Sequence, residues 1–492
     1  MTVKQASYRQ IIKATSIFGG VQIFNIIISI VKTKFVAILL GPAGMGIAGL
    51  LVSTTALIGS LTNFGLATSA VRNVSAAAAS EEKIGLTVSV LRRLVWLTGL
   101  LGALFTLFLS SYLSKITFGN EEYTQAFMLI SITLLLSQLA AGQHVVLQGL
   151  RKLKYLAKAD IAGMLVGLFV SVLIYYWLGV QGIVPVIIIS SIISFCFSWF
   201  FASKVQIPKV RASISTLKSE GGGMLKMGFM LTLSGLLPII TSYFLRIFIS
   251  RTGGVEQVGL YSAGFAMINT YVGMIFTAMT TDYYPRLTEA SVDNVATNNA
   301  INEQAEIAIL IIAPILVGFI AFVDWAIVLL YSKDFLKING MLHWAALGMF
   351  FKTASWAIGF IFLAKGANSV FFWSELAANL YIVLLNVFGY KLFGLDGLGV
   401  AFFLGYFMLL LQNYVVSKRL YKFRFVKDFY TIFLVQFVIG LVSFIVFKKV
   451  ISPYSLIING VLIGMSMVYS YKELNKRIDI RRSLIKMTEK VR

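Results

Sequence analysis

Windows of roughly 20 predominantly apolar residues follow one another along this chain, each long enough to cross the roughly 30 Å hydrocarbon core of a bilayer as a helix. They lie near 14–40, 45–68, 87–112, 125–148, 158–178 and 182–203, then near 224–250, 257–281, 304–331, 339–364, 370–390 and 396–417, with a last pair near 428–448 and 452–470. Lipid offers no partner to a backbone N–H or C=O, so such a chain must satisfy every segment internally and fold as helices. The expected fold is an all-α polytopic membrane protein of about 14 transmembrane helices.

Charge tests that count. The 42 Lys and Arg exceed the 20 Asp and Glu, for a net charge of +22. In a soluble protein that excess would point to nucleic acid. Here it has a plainer cause, because basic residues are retained in cytoplasmic loops. With the N-terminus placed inside, clusters such as Arg92/Arg93, Arg151/Lys152/Lys154/Lys158 and Lys418/Arg419/Lys422/Arg424/Lys427 all fall on the inner side. Inner basic residues outnumber outer ones by roughly three to one, which places both termini in the cytoplasm and demands an even number of spans. The basic start (Lys4, Arg9, Lys13) leads into an apolar run too long for a signal-peptide core, so the first span is read as uncleaved. A single cysteine, Cys196, excludes a disulfide framework and a thiol metal site.

The chain also repeats itself. Asp160 and Glu375 stand 215 positions apart, as do Gly179 and Gly394, and Gly182 and Gly397. Gly46 and Gly259 are 213 apart; Arg72 and Arg286, and Lys32 and Arg246, are 214 apart. A shift held across six spans implies two pseudo-symmetric six-helix lobes sharing one orientation, related by an axis along the membrane normal. The lobes are assigned to 1–204 and 223–420, joined by a cytoplasmic linker over 205–222. Residues 421–492 hold the final helix pair and a basic tail.

Ionisable groups inside spans carry the functional reading. Gln22, Asn25, Ser29, Lys32 and Thr33 fall within roughly 100° of arc on the first helix. A lysine at mid-bilayer costs roughly 2.5–3.5 kcal/mol, so this stripe should face a wet cavity inside the bundle. Lys34 points nearly the opposite way, so on a straight helix only one of the two lysines faces inward. Lys32, Arg246 and Lys352 are the deep cations, and a self-repelling cluster of this kind makes sense once an anion completes it. Arg72, Arg151, Arg286 and Lys365 lie where helices leave the membrane and are assigned to a cavity entrance or to topology. Asp160 and Glu375 are repeat mates and are read as candidate ion-coupling acids; Glu375 is alternatively the partner of a lysine such as Lys365. His144 and His343 are read as packed or interfacial rather than as ligands. No phosphate-binding loop, metal-ligand spacing or nucleophile elbow is present, so no cofactor and no enzymatic activity are expected.

Five segments carry a resemblance. ILLGPAGMGIAGL (Ile38–Leu50), FGLATSAVRN (Phe64–Asn73), VLQGLRK (Val146–Lys152), YYPRLTEA (Tyr283–Ala290) and IFLAKGANSVFFWSELAANLY (Ile361–Tyr381) occur in this order. The chain resembles the Wzx-type O-antigen translocases of the multidrug/oligosaccharidyl-lipid/polysaccharide exporter superfamily. That resemblance implies a V-shaped exporter with a central cationic cavity. It implies flipping of an undecaprenyl-diphosphate-linked oligosaccharide across a bacterial inner membrane by alternating access, driven by membrane potential or an ion gradient. It places charge at Lys34, Arg246, Lys352, Lys365 and Glu375, so both Lys32 and Lys34 are kept as substrate candidates. The implied partners are the glycolipid, membrane lipids and a polysaccharide polymerase complex, with the chain as a monomer and no nucleic acid. Fourteen spans also suit lipid II flippases, and the last pair is read as a groove for the lipid tail or as a packing hairpin. Other readings are a cation-coupled multidrug antiporter of the same superfamily and a non-transporting scaffold.

Overall fold

The computed structural model describes the backbone of residues 3–478 apart from 79, 209, 211 and 452, and side chains over 24–477 apart also from 230, 231, 233, 234, 270–272 and 281. The Gln22 side chain and the tail beyond 478 lie outside the described residues. The helices of eight residues or more are α1 (Val3–Thr62), α2 (Leu66–Ala77), α3 (Glu81–Phe108), α4 (Ser110–Phe118), α5 (Thr124–Gly149), α6 (Leu153–Leu178) and α7 (Ile183–Ser203). After the linker come α8 (Gly222–Ala266), α9 (Gly273–Ala290), α10 (Asn294–Ala321), α11 (Val323–Leu330), α12 (Asn339–Ala364) and α13 (Asn368–Tyr421). The last two are α14 (Lys427–Lys449) and α15 (Tyr454–Ile478). No strand occurs among the described residues.

Among the described residues ten apolar stretches are long enough to cross a membrane, and four of them are far too long to cross once. The 54 residues of α13 would reach about 80 Å as one rod, against a core of about 30 Å. Each long stretch breaks at a glycine with positive φ: Gly41 at 64°, Gly179 at 53°, Gly254 at 84° and Gly394 at 58°. A Cβ penalises this left-handed region, so glycine sits where the chain must leave the helix and return. Past Gly394 the arms lie against each other, since a Cβ on Gly397 would stand 1.8 Å from the Gly389 carbonyl oxygen. With these breaks the ten stretches supply fourteen crossings, and the chain is an all-α polytopic membrane protein.

The breaks also carry the repeat. Gly41 and Gly254 are 213 positions apart, and Gly179 and Gly394 are 215 apart. A third pair, Arg151 at φ 55° and Gly366 at φ 68°, is again 215 apart and opens each of the turns before α6 and α13. Similar backbone angles at a constant shift are what duplicated lobes require.

The chain packs as two units, 1–259 with 330–332, and 260–329 with 333–492. In the first, Leu66, Ala70 and Val74 of α2 pack with Val88, Leu91 and Leu94 of α3 and with Val145 and Val146 of α5. α2 is an amphipathic helix absent from the span count; its inner face buries Leu66, Ala70, Val74 and Ala77, while Arg72 is exposed. The linker is docked rather than loose. Ala212 joins the same cluster with Ile207 and Leu217 packed against it, and the Ala212 amide donates to Ser89 Oγ at 3.4 Å. A second cluster around Leu51, Phe127, Ile130, Tyr175 and Ile183 joins α1, α5, α6 and α7.

In the second unit α12 is buried along most of its length, packed on α10 and α13. The C-terminal pair lies on α10 as a hairpin: Val317 meets Ile439, Val446 and Leu462, and Ile320 meets Phe444 with Leu347 of α12. A buried polar ladder joins the pair, with Ser443 Oγ donating to Asn459 Oδ1 at 2.7 Å, Ser466 Oγ to Gln436 Oε1 at 2.7 Å and Gln436 Nε2 to Ser470 Oγ at 2.8 Å. Such interhelical bonds are worth about 0.6 kcal/mol each in a membrane, so they set register more than strength.

Candidate transport site

The break at Gly41 aims the first arm of α1 back along the first unit, and Lys32 on that arm lies on the wall between two cavities. The larger holds about 580 Å³; its polar lining is Thr55, Ser60, Thr62 and Asn63 of α1 and its end, Thr98 of α3, Thr133, Ser137 and Gln138 of α5, Tyr175 of α6, and Ser190 and Ser191 of α7, set among apolar residues such as Val52, Leu134, Val186 and Ile187. Lys32 is the only charged group among its lining residues. Gln138 Nε2 donates to Thr98 Oγ1 at 3.0 Å, while Thr98 Oγ1 itself donates to the Leu94 carbonyl at 2.8 Å. The hydroxyls are thus oriented by their own helices, leaving a surface rich in neutral hydrogen-bonding groups.

The smaller cavity, about 280 Å³, lies beyond Lys32 and Ser190. It gathers Asn25 and Ser29 of α1, His144 of α5, Asp160 of α6 and Ser194 of α7. The Asn25–Ser29–Lys32 stripe therefore lines one cavity. His144 Nε2 stands 3.6 Å from Asp160 Oδ1, each side chain about one-third exposed. His144, expected to be packed or interfacial rather than a ligand, stands beside an acid. The signal was available: His144 lies seven residues before Arg151 and Asp160 nine after it, so an α5–α6 hairpin brings them level.

Lys34 goes elsewhere, donating its ammonium to the Tyr331 carbonyl. Arg246 on α8 bonds its own helix through Ser242. In the second unit Lys352 donates to Asn269 Oδ1 at 2.8 Å and sits 5.0 Å from the Tyr406 ring and 5.7 Å from the Phe402 ring. Lys365 binds the Ser291 carbonyl and, at 2.8 Å, Asn294 Oδ1, tying the turn before α13 to the start of α10. Glu375 is half-buried on α13, one turn before Asn379, whose Nδ2 donates to the Glu375 carbonyl at 2.8 Å. Arg286 pairs with Glu303 at 3.2 Å and Asp282 at 3.8 Å and donates to Gln304 at 2.9 Å. Arg72 is exposed midway along α2, and Arg151 is exposed in the turn after α5. His343 is packed as expected, its ring nitrogens 2.9 Å and 3.2 Å from the Asn339 and Ile320 carbonyl oxygens. No group of His, Cys, Asp and Glu able to hold a metal occurs among the described residues.

The chain is thus a polytopic helical membrane protein whose first unit holds two cavities with polar groups in their walls. Residues 35–339 match the family described as polysaccharide biosynthesis protein, and the chain belongs to that family. It is 20% identical to the lipid III flippase of Escherichia coli (strain K12) over 376 residues, covering 75% of this chain and 88% of the relative. Among solved structures it is similar to the lipid II flippase MurJ in an inward closed conformation, with a TM-score of 0.67 at 15% identity over 94% of this chain and 99% of the other. It is also similar to an inward-facing multidrug resistance MATE transporter of the MOP superfamily, at TM-score 0.65 and 13% identity over 81% and 94%. These two likenesses establish the fold, and they agree with the superfamily resemblance read from the motifs.

Proposed function

We propose that this chain is a flippase that moves an undecaprenyl-diphosphate-linked oligosaccharide, an O-antigen or related surface-polysaccharide unit, from the inner to the outer leaflet of a bacterial inner membrane. The observation that carries this reading is the cavity of about 580 Å³ in which hydroxyl and amide groups and the single cation Lys32 share the lining with apolar residues such as Val52, Leu134, Val186 and Ile187. Sugars present donors and acceptors in equal measure, which Ser, Thr, Asn and Gln side chains can match in either sense. A diphosphate entering a low-dielectric region needs a counter-charge, and Lys32 supplies it there. Arg246 and Lys352 are assigned the same role along the path, with Arg72, Arg151, Arg286 and Lys365 at its cytoplasmic entrance. Lys34, already bonded to a backbone carbonyl, is assigned a lesser part. Export of two negative charges from a negative interior gains roughly 2.3 kcal/mol per charge per 100 mV, so membrane potential alone could drive the step. A multidrug antiporter would want a carboxylate for an organic cation, and the larger cavity has none among its lining residues.

The test is in the native host. Lys32→Gln removes one charge-assisted contact to phosphate, and export of surface glycan should fall roughly ten- to hundredfold. The lipid-linked precursor should accumulate on the inner leaflet at unchanged protein level. Undiminished glycan export in a Lys32→Gln, Arg246→Gln double variant would overturn the reading.

A further inference from the structure

Lys32 belongs to two cavities at once, and the smaller of them holds groups that can exchange a proton. Its ionisable lining is Asp160 from α6, His144 from α5 and Lys32 from α1; α7 contributes the neutral Ser190 and Ser194. Lys154 and Lys158, on the first turns of α6, are exposed and are not among its lining residues, and Arg92 of α3 lines a separate cavity. The separation of 3.6 Å between His144 Nε2 and Asp160 Oδ1 is long for a hydrogen bond but close for two charges. Asn25 Oδ1, in the same cavity, is shut off from solvent with no hydrogen-bond partner, so an acceptor stands ready for one more proton donor.

We propose that the Asp160–His144 pair and Lys32 form a proton-responsive site in which Asp160 competes with the anionic cargo for the lysine. The proposal rests on the cargo reading above. When the pair carries no extra proton, Asp160 is an anion on the wall of the cavity that Lys32 also lines, and its field opposes that of the lysine. When the pair takes up one proton, on either partner, that opposing field is cancelled and the full charge of Lys32 is available to a diphosphate in the larger cavity. The sign follows from charge alone: proton and anion bind together, each raising the other's affinity by the same factor. Titration belongs to the pair rather than to either residue. The repeat mate of Asp160 is Glu375, but the position equivalent to His144 is Gly359, so the second lobe has no such pair.

The experiment measures binding to the purified full chain in lipid nanodiscs at about pH 5.5 and about pH 8, on either side of the usual histidine range. The probe is a synthetic polyprenyl diphosphate esterified to a single sugar, whose two phosphates stay ionised throughout. The wild type should bind it roughly three- to tenfold more tightly at the lower pH, a coupling in the usual range for linked sites. Asp160→Asn, a mimic of the proton-loaded pair, should bind with the tighter affinity at both values. Lys32→Gln should bind weakly at both. A wild-type affinity that does not move with pH overturns the switch whatever the variants do. Unchanged affinity in Lys32→Gln overturns the cargo reading beneath it, so the two failures are separable.

Discussion

Leucine in place of Gly46 or Gly259 should abolish transport in a protein that is still made and inserted. Both glycines are buried in the first unit, and their contact is reciprocal. A Cβ on Gly46 would stand 1.8 Å from the Val255 carbonyl oxygen, and a Cβ on Gly259 would stand 1.8 Å from that of Pro42. Val255 is the repeat mate of Pro42, as Gly259 is of Gly46, each 213 positions on. The second arm of α1 thus meets α8 just past the equivalent breaks, in the self-complementary manner of a two-fold contact. Overpacking against flexible side chains costs about 1–3 kcal/mol, but here the obstacle is backbone on both sides, so the helices must separate. Alanine should already impair export, and leucine should reduce it below detection. Gly464→Leu on α15, where nothing lies within 4 Å of an added Cβ, serves as the control and should leave export unchanged. Wild-type export by Gly46→Leu at normal membrane levels would show that this close approach is not needed in any state the protein visits.

How much of this was legible in the sequence follows from what a membrane constrains. Bilayer thickness fixes the length of an apolar run, so the fourteen crossings could be read directly, and a reversal between two apolar runs needs a residue free of Cβ strain. Gly179 and Gly394 were recognisable as turns for that reason. The amphipathic α2 was not: its inner face continues the apolar run of 45–68, so hydropathy merged it with the preceding span. Orientation inside the bundle was harder still. Lipid tails are as apolar as a packed core, so a helix face against lipid and one against protein look alike in composition. Trp177 and Phe393 are 77% and 65% exposed, whereas Phe127 and Phe350 are fully buried, with no local pattern to tell them apart. The polar stripe on α1 was the exception, because cavity-lining groups are the ones lipid would reject. That argument favoured Lys32 as the cavity lysine, whereas the family motif favoured Lys34, and the structure puts Lys32 on the cavity walls. His144 escaped because its partner lies across a turn rather than three or four residues along the same helix.

The C-terminal pair leads to a prediction of comparable size. Arg477 on α15 donates Nε to Glu306 Oε2 of α10 at 2.7 Å and Nη1 to Glu473 Oε2 of its own helix at 2.7 Å, with Asp428 of α14 at 3.9 Å. The Glu306 side chain is only 9% exposed and that of Arg477 21%. Removing one partner of a buried pair costs about 3–5 kcal/mol, because the other charge is stranded, and the partial exposure of Arg477 places this case toward the lower end. Arg477→Ala should therefore lower the melting temperature in detergent by several degrees and expose the C-terminal end of α15 to proteolysis. Arg477→Lys should recover only part of the loss, since an ammonium cannot make two fixed bonds in one plane. The double variant Glu306→Gln, Arg477→Met should be more stable than Arg477→Ala, because no carboxylate is then stranded on α10 and Glu473 keeps Lys476 at 2.6 Å. That ordering is the discriminating result. If Arg477→Ala melts with the wild type, the hairpin is held by Val317, Ile320, Ile439, Phe444 and Leu462 alone, and the ion cluster adds nothing to its attachment. If the double variant is no better than the single one, the loss comes from the missing arginine stem rather than from a stranded charge.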